Sequence, residues 1–273
     1  MADNMQDAPP GTSRETGDVE ELKAANAKEL HRAVREEGQE ELDRPIGSLF
    51  WSGLAGGMAI AASLVAEAAI AAHTAPSAAR PLLIAMGYPI GFVMVILGRM
   101  QLFTESTVTA MLPLVSNPSR AALGKTLRLW GVVLAANLVG TALAALAFAT
   151  LDIGDAALRA GMMEVSMKIT EHGAIATFVT AVPAGFLIAI VAWALPNARE
   201  QAFLVVFGIV FVVAVGGFSH TVVGSMEAFL LLFTGKIGIG QVLAFLVPAV
   251  LGNLFGGAGL FAVLAHGQVQ GEA

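Results

Sequence analysis

Six long apolar stretches, separated by short polar joints that mostly contain Pro, Asn or Arg, dominate this chain: roughly residues 46–72, 81–115, 129–151, 173–195, 202–233 and 242–265. A helix that crosses a membrane needs about 20 mostly apolar residues, so the pattern predicts an all-α membrane protein with six transmembrane helices in a domain over residues 45–266. Residues 1–44 read differently. Residues 1–17 are Pro, Gly, Asp, Ser and Thr with little to bury and are expected to be disordered. Residues 19–43 set Val19, Leu22, Leu30, Val34 and Leu42 among Glu, Lys and Arg. That is an amphipathic helix, lying on the membrane surface or capping the membrane domain. A long acidic stretch precedes the first apolar run, which argues against a secretory signal peptide. Residues 267–273 remain as a short tail.

Composition agrees. The chain of 273 residues is 56% hydrophobic and 13% charged, against about 25% charged in soluble domains. Residues 1–44 hold 12 of the 21 acids and 6 of the 15 bases, and the rest is balanced at nine of each. No cationic surface exists to neutralise phosphates, which excludes a nucleic-acid binder. The absence of cysteine removes disulfides and thiolate chemistry. His31, His73, His172, His220 and His266 are scattered without metal-site spacing, and no phosphate-binding loop is present. Neither an enzyme, a metal site nor a cofactor is expected. Lys and Arg set the orientation. Arg32, Arg35, Arg44, Arg120, Lys125, Arg128 and Arg199 fall on one side, and Arg80, Arg159, Lys168 and Lys236 on the other. The excess places both termini in the cytoplasm.

Two spans carry the wrong residues for simple helices. The second is interrupted at Gly98-Arg99-Met100-Gln101-Leu102-Phe103-Thr104-Glu105-Ser106, the fifth at Gly216-Gly217-Phe218-Ser219-His220-Thr221. Arg99, Glu105 and His220 at such depth are tolerated where they face a protein interior or a water-filled path. The breaks are related by an internal repeat. Asn137-Leu138-Val139-Gly140-Thr141-Ala142 and Asn253-Leu254-Phe255-Gly256-Gly257-Ala258 share N-L-x-G-x-A at an offset of 116 residues. The same shift sets Thr104 over His220 and Leu102 over Phe218, and carries span one onto span four. Residues 46–151 and 173–265 therefore read as two inverted three-helix repeats, with broken second and fifth helices meeting near the bilayer centre.

Gln101-Leu102-Phe103-Thr104, Gly217-Phe218-Ser219-His220 and Leu251-Gly252-Asn253-Leu254-Phe255-Gly256-Gly257 resemble the formate/nitrite transporter family. So do Trp130-Gly131-Val132-Val133 and Ala192-Trp193-Ala194. The likeness covers about residues 45–265. Leu-Phe-Thr-Glu-Ser and the acidic tail are most similar to the YfdC-like branch, a bacterial inner-membrane group. The resemblance implies an aquaporin-like protomer in a homopentamer in the lipid bilayer, with one pore per protomer. It further implies a central site of His220 and Thr104 and a cytoplasmic constriction of Leu102 and Phe103. Tyr88 and Val213 would belong to an outer constriction, with Phe218 and Ser219 at the span-five break, and Lys168 would draw anions into the outer vestibule.

For small weak acids the anion is expensive between apolar constrictions and the neutral acid is cheap. His220 is placed to exchange the proton and Thr104 to orient it. The chain departs from the family's formate and nitrite members at Gln101, Ser219, Gly224 and Gly185, where acids or asparagines are expected. Acids appear instead at Glu105 and Glu227. Arg99 is expected to neutralise Glu105, and Glu227 to share His220's face. Glu67 either pairs with another span or lies near the outer interface. The leading expectation is a channel or transporter for small monovalent anions or their conjugate weak acids. Glu105 and Glu227 unpaired in the lumen would favour a pore for neutral or cationic solutes. A membrane scaffold or sensor acting through the acidic tail is the remaining alternative.

Overall fold

The computed structural model describes residues 25–270, and among them every regular element is helical. The readings for residues 1–24 and 271–273 lie outside the described residues. Helix α1 spans Ala27–Asp43. It begins in a capping box, in which Asn26 Oδ1 accepts from the Glu29 N–H while the Glu29 carboxylate accepts from the Asn26 N–H. His31, Val34, Gly38 and Leu42 lie at helical spacing and form its buried face.

The first apolar stretch folds as α2 (Ile46–Ala59) and α3 (Ala61–His73), joined at Ile60. The second gives α4 (Arg80–Ala85), α5 (Pro89–Leu97) and, after a break, α6 (Phe103–Ser116). Helix α7 covers Arg120–Thr150 and α8 covers Ala156–Met167. Then follow α9 (Ala174–Ala194), α10 (Ala202–Val215), a second break, and α11 (Thr221–Phe233). Helix α12 (Ile239–Leu254) passes through a π-helical turn at Phe255–Phe261 into α13 (Ala262–Gln270). Residues 267–270 are thus helical rather than tail. Among the described residues five stretches are long and apolar enough to cross a membrane: Ile46–His73, Arg80–Leu97, Arg120–Thr150, Ala174–Asn197 and Ile239–Gln270. The pieces α10 and α11 are apolar but shorter.

The third span starts at Arg120, nine residues before the expected 129, because Ser119 caps it by accepting from the Ala122 N–H. Helix α8 was hidden in the joint between the halves. Asp155 caps it, and its twelve residues are too short to span a bilayer.

The two breaks share one backbone design. Helix α5 ends with Gly98, followed by Arg99 at φ 54°; α10 ends with Gly216, followed by Gly217 at φ 62°. Arg99 N–H donates to Ile96 O and Met100 N–H to Val95 O. Gly217 N–H donates to Ala214 O and Phe218 N–H to Val213 O. Each set is a Schellman motif, the left-handed helix stop that glycine makes easily. The next helix starts after an extended cap residue, Leu102 in one case and His220 in the other. The residues match at a shift of 118, from 102 to 220, so the structural counterpart of His220 is Leu102 and not Thr104.

The asparagines staple the breaks. Asn137 Oδ1 accepts from the Phe103 N–H at 2.9 Å, while its Nδ2 donates to Gln101 O and Gly53 O. Asn253 Oδ1 accepts from the Thr221 N–H at 2.8 Å, and its Nδ2 donates to Ser219 O and Ala181 O. The asparagine lies 34 residues beyond the first helix start but 32 beyond the second. That is why their own offset is 116. Along spans one and four the matched carbonyls, at Gly53 and Ala181, stand 128 apart. One constant shift therefore does not carry span one onto span four. Close approach is possible because Gly57 and Gly185 face the asparagine backbones, where an added Cβ would stand 2.3 and 2.1 Å from the Asn137 and Asn253 carbonyl oxygens.

Candidate functional site

Each break delivers a polar side chain to the same point. Thr104, in the first turn of α6, places its Oγ1 2.7 Å from Nε2 of His220, the residue that caps α11. His220 is 2% exposed and Thr104 fully buried. The other ring nitrogen, Nδ1, accepts from the Val223 N–H at 3.4 Å. A proton on Nδ1 would point at that N–H, so the geometry favours the Nε2–H tautomer, donating to the threonine oxygen. The imidazole lies against Phe92, ring centres 4.8 Å apart and planes at 70°, and Tyr88 packs on Phe92 at 5.5 Å. Phe92 escaped the sequence reading because a phenylalanine in an apolar run carries no positional signal.

Leu102 and Phe103 are buried in the same apolar cluster as Tyr88, Phe92 and Val213, with Phe218 packed against it. A cavity of about 230 Å³ reaches His220 from one side. Its lining includes Tyr88, Val213, Phe218, Ser219, Glu67, Glu227 and Lys168. Leu102, Phe103 and Thr104 are not in its lining. Tyr88, Val213, Phe218, Ser219 and Lys168 are thus brought together around one cavity that His220 also lines. Ser219 Oγ lies 2.8 Å from Thr180 Oγ1. Among the described residues no cluster of three His, Asp or Glu is placed to hold a metal ion.

Two expected charges lie elsewhere. The Arg99 side chain is 80% exposed and pairs with Glu37 of α1 at 3.0 Å; it makes no ion pair with Glu105 among the described residues. The left-handed stop aims the arginine out of the break, toward α1. Glu105 is outside the lining of the cavity, whereas Glu227 is within it.

At the other end of the break, α1 grips α6. Glu41 accepts from Gln101 Nε2 at 2.7 Å and from Thr109 Oγ1 at 2.6 Å. Burial pushes the Glu41 carboxyl above the ordinary carboxylate range, against the two hydrogen bonds that pull it down. An added Cβ on Gly38 would meet the Thr109 carbonyl oxygen at 1.8 Å, so the helices touch backbone to backbone. Lys125 bonds Asp43 at 2.6 Å, and Arg128 donates to Leu42 O. The sequence marked an amphipathic helix, but not the acid that fastens it to the break.

Residues 28–267 match the family model described as formate/nitrite transporter. The chain is 34% identical to the inner membrane protein YfdC of Escherichia coli (strain K12), over 91% of this chain and 80% of that one. It is 25% identical to the uncharacterized transporter YrhG of Bacillus subtilis (strain 168), over 84% and 88%. Among solved structures it is similar to an ion channel of the same family, with a TM-score of 0.73 and 18% identity over 89% of this chain and 98% of that one. It is also similar to a pentameric formate channel with formate bound, with a TM-score of 0.68 and 19% identity over 82% and 97%. At those identities the structural likeness speaks for the fold alone.

Proposed function

The chain belongs to the formate/nitrite transporter family, and from that premise we propose that it is a channel for small monovalent anions or their conjugate weak acids. It would work as a homopentamer in a bacterial inner membrane, both termini cytoplasmic. Each protomer would have six spans in two inverted three-helix repeats. The matched Schellman stops and asparagine staples support the repeat, and the pentameric formate channel with the similar fold supports the assembly.

The observation that carries the reading is the 2.7 Å contact between Thr104 and His220, made where two half-helices begin. Helix N-termini carry positive partial charge, which favours an anion approaching the junction. Moving a bare carboxylate into an apolar medium has an idealised cost of order 20 kcal/mol, so the Leu102–Phe103 side admits a neutral acid far more readily than an anion. In this reading His220 and Thr104 form the central site and Leu102 and Phe103 the cytoplasmic constriction. Tyr88 and Val213 narrow the outer side, Phe218 and Ser219 shape the break between them, and Lys168 draws the anion in.

Stopped-flow uptake by proteoliposomes tests this with formate, nitrite, hydrosulfide, acetate, lactate, glycerol and ammonium at two pH values. Acid uptake that rises as pH falls is expected, with none for glycerol or ammonium. His220→Asn and Thr104→Ala are each expected to slow formate at least tenfold; unchanged rates would remove both from the site. A second reading, a pore for neutral or cationic solutes, draws on Glu67 and Glu227 facing the cavity with no ion pair among the described residues. Uptake of ammonium or glycerol alone would select it.

A further inference from the structure

Glu67 and Glu227 need an explanation that neither packing nor pairing provides. Glu67 comes from α3 and Glu227 from α11, so two different spans each contribute a glutamate to the lining of one cavity. Both are more than nine-tenths buried, at 6% and 8% exposed. Glu67 Oε2 is sealed from solvent and has no hydrogen-bond partner. Leaving such an atom unpaired costs about 1–3 kcal/mol or more.

We infer that Glu67 and Glu227 form a proton-exchange site that hands a proton to the entering weak-acid anion before it reaches His220. The inference rests on the weak-acid reading of the cavity given above. The other titratable groups facing the cavity are Lys168, Glu171 and His172 on the same side as the mouth, with Tyr88 and His220 deeper. Arg80 and Glu164, on neighbouring elements, are bonded to each other, and Arg159 to Asp152. None of these makes an ion pair with Glu67 or Glu227 among the described residues. Two bare carboxylates in one small cavity repel each other, and a proton on either one removes the repulsion.

Chemical matching favours these acids as donors. A carboxyl group and a small monocarboxylate are the same functional group, so proton transfer between them is close to balanced in free energy. Both His220 nitrogens are already engaged, one with Thr104 and one with the Val223 N–H. The step balances. The carboxyl O–H bond of one glutamic acid breaks and its electron pair stays on the carboxylate. The proton forms the new O–H bond of the acid, and the neutral acid moves on past His220. A proton from water at the Lys168 end restores the glutamic acid. Lys168 holds the anion at the entrance.

The test uses the full-length protein in proteoliposomes, with formate as probe. Glu67→Gln/Glu227→Gln is expected to slow uptake at pH 7 at least tenfold. Its rate should then follow bulk formic acid, falling about tenfold per pH unit, where the wild type falls less steeply. Glu67→Asp/Glu227→Asp should recover the wild-type profile, which a purely structural role would not require. Infrared difference spectra of the wild type should lose protonated-carboxyl absorbance on adding formate, and each single Gln variant should diminish that change.

A double Gln variant with the wild-type rate and profile overturns the inference. So does a wild type that takes up formate with no carboxyl change, a result that does not depend on any variant assembling. Ammonium uptake abolished by the double variant also overturns it, in favour of a cation site. A wild type that moves no weak acid at all fails the weak-acid reading itself, and the inference with it.

Discussion

Asn253 shows how much one side chain can hold. Its amide satisfies the Thr221 N–H and hydroxyl and the Ser219 carbonyl at the second break, and the Ala181 carbonyl on α9. Truncation leaves four buried groups short of a partner, each worth about 1–3 kcal/mol though not additively. Asn253→Ala is expected to destabilise the fold by at least about 3 kcal/mol, read as a large drop in melting temperature or loss of the assembled protein in detergent. The sequence marked Asn137 and Asn253 through their repeated pattern. It did not reveal their work, because the carbonyls they bond are 84 and 72 residues away in the chain. Thr104 and His220 were legible for a different reason: polar side chains inside apolar runs have to be accommodated, and the flanking glycines marked where.

At the scale of helices, α1 was visible as an amphipathic stripe, but its docking was not. Gly38 sits where backbone meets backbone, so Gly38→Ala is expected to lift α1 off α6, seen as faster hydrogen exchange across Ala27–Asp43 with the spans unchanged. The docking is also expected to depend on pH. Burial raises the Glu41 carboxyl in the docked helix above its ordinary value. A group raised on docking favours the docked state at low pH, and that contribution fades as pH climbs from the ordinary carboxylate range through the raised value. Exchange in α1, corrected for its intrinsic pH dependence, should therefore speed up with rising pH, and Glu41→Gln should flatten the response. Helix α8 escaped the sequence reading because spanning length was the criterion, and a twelve-residue helix cannot meet it.

For the molecule as a whole, the all-helical membrane fold and the two interruptions could be read from hydropathy and the glycine clusters. The register between the two breaks and their neighbours could not, since matched features stand 116, 118 and 128 residues apart with no mark of this in composition. Large apolar side chains remain on the outside, among them Trp51, Ile175, Leu204 and Leu264. Exposed apolar side chains in such number suit a lipid environment or the proposed assembly. The expected outcome in native mass spectrometry is a pentamer that survives release from detergent; a monomer would oppose the proposed assembly.

The two helix stops differ in one respect with mechanical meaning. Gly217 adopts its left-handed turn freely, while Arg99 holds the same turn against the crowding of its own Cβ. Only the arginine reaches out to grasp the amphipathic helix, through Glu37. The halves are therefore unequal springs. The relaxed one carries the imidazole, and the tensioned one is tied to α1, so a pull on α1 would be felt first beside Leu102 and Phe103.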